Sequence, residues 1–117
     1  MKLLALAALV AATAVFAVPT ALASTPTLNG VVGPGFNISL KEAGTKVTKL
    51  KAGTYVIKVS DKSNIHNFHL TGPGGFSKKT SVGGTGTTTW KVTLKKGTYK
   101  YVCDPHASIM KGSFTVS

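Results

Sequence analysis

The most informative stretch of the chain reads GTYKYVCDPHASIMKGSFTV and covers residues 97–116. It contains the only cysteine, Cys103, followed by His106 and Met110. Aromatic and apolar residues alternate with polar ones before Cys103 and again after Met110, which predicts a β-strand on each side of the loop. The loop therefore places a thiol, an imidazole and a thioether, all candidate metal ligands, between two predicted strands.

The period-two alternation recurs in three other segments, at 36–41, 55–60 and 90–95. Gly-rich turns separate these segments, and no stretch after residue 23 has a convincing helical period. Many short, half-buried strands with Gly-rich turns predict an all-β sandwich or barrel of antiparallel strands. The segment LKAGTY at 50–55 recurs as LKKGTY at 94–99, which indicates two similar corners of a Greek-key sandwich.

The first 23 residues have the layout of a secretory signal peptide. Lys2 precedes an uncharged apolar run from Leu3 to Val18, and Ala21-Leu22-Ala23 forms a small-x-small cleavage pattern. A retained membrane anchor is the alternative, but the run is shorter than the ~20 apolar residues of a spanning helix. We expect residues 1–23 to be removed and residues 24–117 to form one exported domain, periplasmic or secreted.

The chain is strongly basic, with a formal net charge of +11 at pH 7 and no arginine. Its lysines mostly alternate with apolar residues along the predicted strands, which is typical of a solvated face. Nucleic-acid binding is disfavoured, because export separates the chain from nucleic acid and arginine, the usual base-reading residue, is absent. The charge instead favours acidic partners or an anionic cell surface.

A second group of metal-competent residues lies upstream, at His66 and His69. On a strand, two residues three apart point to opposite faces, so only one of these histidines can face Cys103. Together with the Cys103 loop, this segment supplies one thiolate, two imidazoles and one thioether. That is the ligand set of a blue-copper electron-transfer site.

The sequence resembles the plastocyanin-type cupredoxins, a family of blue-copper proteins. The resemblance rests on a Gly-Thr-Tyr strand leading into Cys103-Asp104-Pro105-His106, on Met110-Lys111-Gly112 before the last strand, and on His66-Asn67 upstream. It extends from about Thr27 to the end of the chain. The resemblance implies a Greek-key β-sandwich that binds one copper ion.

Carried over position by position, the resemblance implies that copper is bound in a plane by His66, Cys103 and His106, with Met110 as the axial ligand. Asn67 would brace the ligand loop by hydrogen bonding, and His69 would not be a ligand.

Two features depart from the family pattern. The Cys-x₂-His-x₃-Met loop is one residue shorter than usual, and Asp104 replaces a small hydroxyl residue. If its side chain points inward, Asp104 would lower the reduction potential.

The leading functional hypothesis is a monomeric, non-enzymatic carrier of single electrons between redox partner proteins that have acidic docking surfaces. The alternative hypothesis is copper storage, delivery or sensing without electron transfer. A metal-free β-sandwich interaction module and a zinc site of Cys-His-His plus water are two further possibilities, but zinc would leave Met110 unexplained.

Overall fold

The computed structural model describes residues 8–16 and 24–117. Residues 8–16 are exposed and belong to no helix or strand. The predicted cleavage motif Ala21-Leu22-Ala23 lies outside the described residues, as do residues 1–7 and 17–20 of the predicted signal peptide. Within the two described ranges, no helix is long and apolar enough to cross a membrane.

Residues 27–117 form a sandwich of two five-stranded sheets. The strands are Thr27–Val32 (β1), Ile38–Glu42 (β2), Thr45–Lys46 (β3), Lys49–Leu50 (β4), Gly53–Asp61 (β5), His69–Gly72 (β6), Phe76–Lys79 (β7), Gly86–Leu94 (β8), Gly97–Val102 (β9) and Lys111–Val116 (β10). The first sheet has the order β3-β2-β1-β5-β8, and the second has the order β4-β10-β9-β6-β7. Two short 3₁₀ turns, Pro73–Gly75 and Asp104–His106, complete the described structure. The predicted all-β sandwich is confirmed.

Both sheets are mixed, whereas the alternation predicted antiparallel strands. β1 runs parallel to β5, and β4 runs parallel to β10. The alternation did not predict β1. Its pattern is interrupted because Gly30 occupies a position where an apolar side chain would face the core. The ring of Phe68 fills that place, since a Cβ on Gly30 would lie 3.1 Å from it.

Stacked aromatic rings fill the space between the sheets. Tyr99 stacks on Phe114 with ring centroids 5.2 Å apart, and Phe68 stacks on Tyr101 at 5.5 Å. A Cβ on Gly112 would overlap the Tyr101 ring, so the glycine of the Met-x-Gly segment lets this ring cross the last strand. Burial of four aromatic side chains supplies a large share of the apolar surface removed from water.

The repeated Leu-Lys-x-Gly-Thr-Tyr segment forms two equivalent corners, as the sequence predicted. The Tyr55 hydroxyl donates a hydrogen bond to the carbonyl oxygen of Lys51 at 2.7 Å. The Tyr99 hydroxyl donates in the same way to the carbonyl of Lys95 at 3.0 Å. Each tyrosine thus ties its strand back to the turn that precedes it.

Candidate metal centre

The loop from Cys103 to Met110 joins β9 to β10 and is closed by backbone hydrogen bonds. The Cys103 amide donates to the carbonyl of Met110 at 3.0 Å, so the two ends of the loop lie side by side. The amides of His106 and Met110 donate to the carbonyls of Cys103 and His106 at 3.0 and 2.8 Å. These bonds form two consecutive tight turns. Because the chain turns so tightly, the three residues between His106 and Met110 are enough to bring Met110 back beside Cys103.

The loop that carries His66 joins β5 to β6 and crosses from one sheet to the other. It begins with two nested turns. The Ser63 amide donates to Oδ1 of Asp61 at 3.0 Å, and the Ile65 amide then approaches Oγ of Ser63 at 3.3 Å. Short polar side chains that accept from a backbone amide two residues on favour such turns over a continued strand. The turns deliver His66 to the same end of the sandwich as Cys103.

His66, Cys103 and His106 bring three donor atoms together. Nδ1 of His66 lies 3.1 Å from Nδ1 of His106, and each of these nitrogens lies 3.6 Å from Sγ of Cys103. The point equidistant from the three atoms is about 2.0 Å from each, against ~2.0–2.1 Å for a metal–imidazole bond and ~2.3 Å for a zinc–thiolate bond. The spacing therefore fits one metal ion in a trigonal plane of two imidazoles and a thiolate.

Burial differs among the residues at this site. His66, Cys103 and Met110 have no solvent-exposed surface, whereas His106 is half-buried. Met110 and Cys103 belong to the same apolar cluster of the core. A negatively charged thiolate is unfavourable in apolar surroundings unless a nearby cation compensates its charge. A bound metal ion supplies that positive charge and so keeps the sulfur deprotonated. The donor chemistry thus fits copper, which takes thiolate and imidazole ligands in blue sites.

His69 lies apart from this cluster. Its Nδ1 is 2.8 Å from Oδ1 of Asp104, and its Nε2 is 2.9 Å from Oγ of Ser77. The sequence predicted that only one of the two histidines would face Cys103, on the ground that a strand alternates. The structure separates them differently, because His66 lies in the loop before β6 and only His69 is on the strand.

Asn67 clamps the two ligand loops together. Its Oδ1 accepts a hydrogen bond from the Asp104 amide at 2.7 Å, and its Nδ2 donates to Oδ2 of Asp104 at 2.7 Å. Each loop is thereby fixed relative to the other. Side chains that hold ligand residues in this way also hold the geometry of the metal site.

The Asp104 carboxylate points toward Asn67 and His69. Burial raises its pKa, but the hydrogen bonds from Asn67 and His69 and the charges of His69 and Lys79 outweigh that effect, so the pKa of Asp104 lies below its ordinary value. The inward orientation considered from the sequence is therefore not what the structure shows, since Oδ2 accepts from Asn67 and Oδ1 faces Nδ1 of His69.

Phe36 is a residue of the site that the sequence pattern missed. It fits the alternation at 36–41 as an inward residue, but it precedes β2 and is 60% exposed. Its ring lies edge-on to both imidazoles, with centroids 5.3 Å from His66 and 5.0 Å from His106. Ile65 and Ile109 are also exposed, so the half-buried His106 lies at an apolar end of the sandwich.

Comparison with known proteins agrees with this architecture. A variant of rusticyanin in which glutamine replaces a methionine is 24% identical over 80% of each chain, with a TM-score of 0.57. A rusticyanin variant in which methionine replaces a histidine is 26% identical, with a TM-score of 0.52, over 81% of this chain and 80% of that one. A Cu(I) amicyanin variant, again with glutamine for a methionine, is 18% identical, with a TM-score of 0.51, over 79% and 83% of the two chains.

No curated protein sequence is significantly similar to this chain. A family model does match it, over residues 11–117, and its description is copper-binding proteins of the plastocyanin/azurin family. The match includes the whole sandwich and every candidate ligand, and the expected cupredoxin fold and copper cofactor are confirmed. The chain therefore belongs to the plastocyanin/azurin family of copper-binding proteins.

Proposed function

We propose that this protein carries single electrons on one copper ion held by His66, Cys103 and His106, with Met110 as the axial ligand. When bound, copper supplies the Cu(I)/Cu(II) couple. The observation that carries the proposal is the triangle of Nδ1, Nδ1 and Sγ atoms, whose sides of 3.1, 3.6 and 3.6 Å match one trigonal metal position.

Rigidity of the donors favours electron transfer over storage or delivery. His66 and Cys103 are fully buried, and Asn67 and the backbone bonds of the Cys103–Met110 loop hold their segments in place. A pre-formed site of this kind needs little rearrangement when its charge changes. Delivery requires donors that can open to release the metal, whereas here both ligand loops are fastened.

The site is less suited to catalysis. The buried Met110 belongs to the same core cluster as Cys103, and an axial thioether would occupy the position that a substrate needs. The nearest carboxylate on the ligand loop, Asp104, is engaged by Asn67 and His69 and is not free for proton transfer. We therefore propose a non-enzymatic role.

His106 is the proposed route for the electron. It is the half-buried member of the donor triangle, and the exposed side chains of Phe36, Ile65 and Ile109 lie at the same end. Apolar contact there would exclude water between the imidazole and a partner's cofactor. An apolar contact zone with a polar rim is also the usual anatomy of a specific interface.

Voltammetry of the Cu(II)-loaded protein tests this function. We expect a reversible one-electron wave together with an intense absorption band in the red part of the visible range, because the buried thiolate bonds directly to the metal. A colourless copper complex, or loss of copper on reduction, would contradict electron carriage and favour storage or delivery.

We further propose that the protein acts outside the cytoplasm after removal of residues 1–23. The proposal rests on the charged residue Lys2, the apolar run that follows it and the small-x-small motif that ends at Ala23, which together have the layout of a signal peptide. Intact-mass measurement of protein recovered from outside the cytoplasm is expected to show a chain that begins at Ser24. A recovered chain that still carries Met1 would contradict the proposal.

The redox partners are proposed to present acidic surfaces to a monomeric carrier. Loss of Lys2 with the leader lowers the formal net charge from +11 to +10. Electron-transfer rates with an acidic partner should fall as salt rises, since the Debye length shrinks from about 30 Å at 0.01 M to about 8 Å at 0.15 M ionic strength. Stopped-flow rates measure the effect, and rates that do not change with salt would show that apolar contacts alone determine docking.

A further inference from the structure

Thr80 lies one residue beyond the end of β7, opposite Phe68, which precedes β6. The Thr80 amide donates to the carbonyl oxygen of Phe68 at 3.0 Å. In an antiparallel ladder the two residues of such a pair exchange both backbone hydrogen bonds, so the Phe68 amide would be expected to donate to the Thr80 carbonyl. It donates instead to the hydroxyl oxygen Oγ1 of Thr80 at 2.9 Å. The Thr80 side chain thus takes the place of its own carbonyl in the ladder.

This substitution leaves the carbonyl oxygen of Thr80 available to another donor, and that donor is Asn67. Nδ2 of Asn67 lies 3.3 Å from the Thr80 carbonyl oxygen and 2.7 Å from Oδ2 of Asp104. A side-chain amide has two N–H groups, and these two acceptors satisfy both of them. Asn67 is only 1% exposed, so an N–H group left without an acceptor there would be destabilising.

The same two acceptors determine which way round the Asn67 amide lies. Because Nδ2 is held between Thr80 and Asp104, Oδ1 faces the Asp104 amide and accepts its hydrogen bond at 2.7 Å. That bond joins the loop of His66 to the loop that begins at Cys103. The hydrogen bonds of Thr80 go to Asn67 and Phe68, so its influence on the donor atoms passes through Asn67.

We propose that Thr80 is a positioning residue of the metal centre. Its hydroxyl satisfies the Phe68 amide, its carbonyl is thereby free to hold Asn67, and Asn67 keeps the two ligand loops in register. This role deepens the proposed function and rests on His66 and Cys103 being copper ligands. Replacing side chains that orient metal ligands typically lowers metal affinity about 10–100-fold. Thr80 acts one step further from the metal, so we expect the lower end of that range.

The variant Thr80→Val tests this role, because valine has nearly the shape of threonine but lacks the hydroxyl. The Phe68 amide would then compete with Asn67 for the carbonyl of residue 80, and one N–H group would lose its acceptor. We expect the affinity for Cu(II), measured by competition with a chelator, to fall about 10-fold. Thr80→Ser keeps the hydroxyl and should retain the affinity of the unsubstituted protein. A Thr80→Ser protein as weak as Thr80→Val would contradict the role of the hydroxyl.

Thr71→Val is the matched control. It makes the same substitution at another half-buried residue of the same sheet, where the hydroxyl lies 3.5 Å from the carbonyl oxygen of Lys100. That contact joins β6 to β9 and involves neither ligand loop, so the copper affinity should not change. An equal loss of affinity in Thr71→Val and Thr80→Val would show that any hydroxyl removed from this sheet weakens the site, and the specific role of Thr80 would be wrong.

Hydrogen exchange of the Asn67 side chain, followed by NMR with and without the diamagnetic ion Cu(I), gives a second readout. Both Nδ2 protons should exchange slowly in the unsubstituted protein. Thr80→Val should accelerate their exchange while the backbone amides of β9 stay protected, which a general loss of stability would not produce. Freely exchanging Asn67 protons in the unsubstituted protein, or unchanged exchange and affinity in Thr80→Val, would overturn the inference. Voltammetry of the unsubstituted protein is independent of these results, so failure of this inference is distinguishable from failure of the proposed function.

Discussion

Replacing Cys103 with serine is expected to abolish the intense visible absorption of the Cu(II)-loaded protein. The band arises from charge transfer between the cysteine thiolate and copper, and a serine hydroxyl is neither deprotonated at neutral pH nor a soft donor. Cys103 is the only cysteine in the chain, so no other thiol can replace it. Absorption spectroscopy of equal concentrations of the two copper-loaded proteins measures the loss directly.

The matched control is Ser108→Ala, which alters an exposed side chain on the same loop. It should keep the full band, because Ser108 lies outside the donor triangle. Serine is close to cysteine in size, so Cys103→Ser should retain the fold, as circular dichroism can verify. A Cys103→Ser protein that kept its colour would show that the thiolate is not a copper ligand.

The second large effect concerns the two upstream histidines. His66→Ala is expected to destroy the coloured site, because it removes one of the three donor atoms and leaves only one imidazole beside Cys103. His106 cannot compensate, since its own Nδ1 already occupies the second corner of the triangle. The absorption spectrum and the copper stoichiometry of the purified variant measure the outcome.

His69→Ala is the internal control for that result. It removes the hydrogen bonds to Asp104 and Ser77 but no atom of the donor triangle. We expect its spectrum to stay nearly intact and its free energy of unfolding to fall by about 1–2 kcal/mol, since each of the two lost hydrogen bonds contributes of the order of 1 kcal/mol. If His69→Ala lost the colour and His66→Ala kept it, the assignment of the upstream ligand would be reversed.

Local sequence was sufficient to predict the fold class and the part of the metal site that lies on the Cys103–Met110 loop. Alternation at 55–60, 90–95 and 99–103 predicted strands because one face of each sheet is buried and the other is solvated. Cys103, His106 and Met110 lie within eight residues of each other, so a single loop was certain to bring them close. The repeated corner was also visible, since each tyrosine bonds to a residue only four positions earlier.

Pairing between distant segments was harder to predict. The parallel arrangement of β1 with β5 and of β4 with β10 depends on which strands become neighbours after the chain crosses between sheets. Alternation reports only that one face of a strand is buried, and a parallel and an antiparallel neighbour bury that face equally well. β1 shows the same limit, because the side chain that fills the gap over Gly30 belongs to Phe68.

The sequence by itself determined that this protein has an all-β fold and a thiolate, imidazole and thioether donor set, because those properties follow from residue type and local spacing. Local alternation left open which upstream histidine faces Cys103, and the resemblance to the cupredoxins favoured His66, which the structure places beside Cys103. Only the tertiary structure decided that Asp104 turns toward Asn67 and His69 and that Phe36 lies against both imidazoles. The physical reason is the separation along the chain. His66 and Cys103 are 37 residues apart, and their atoms meet within 3.6 Å because two sheets pack face to face and Asn67 joins their loops. Packing sets that distance, and no local pattern encodes it.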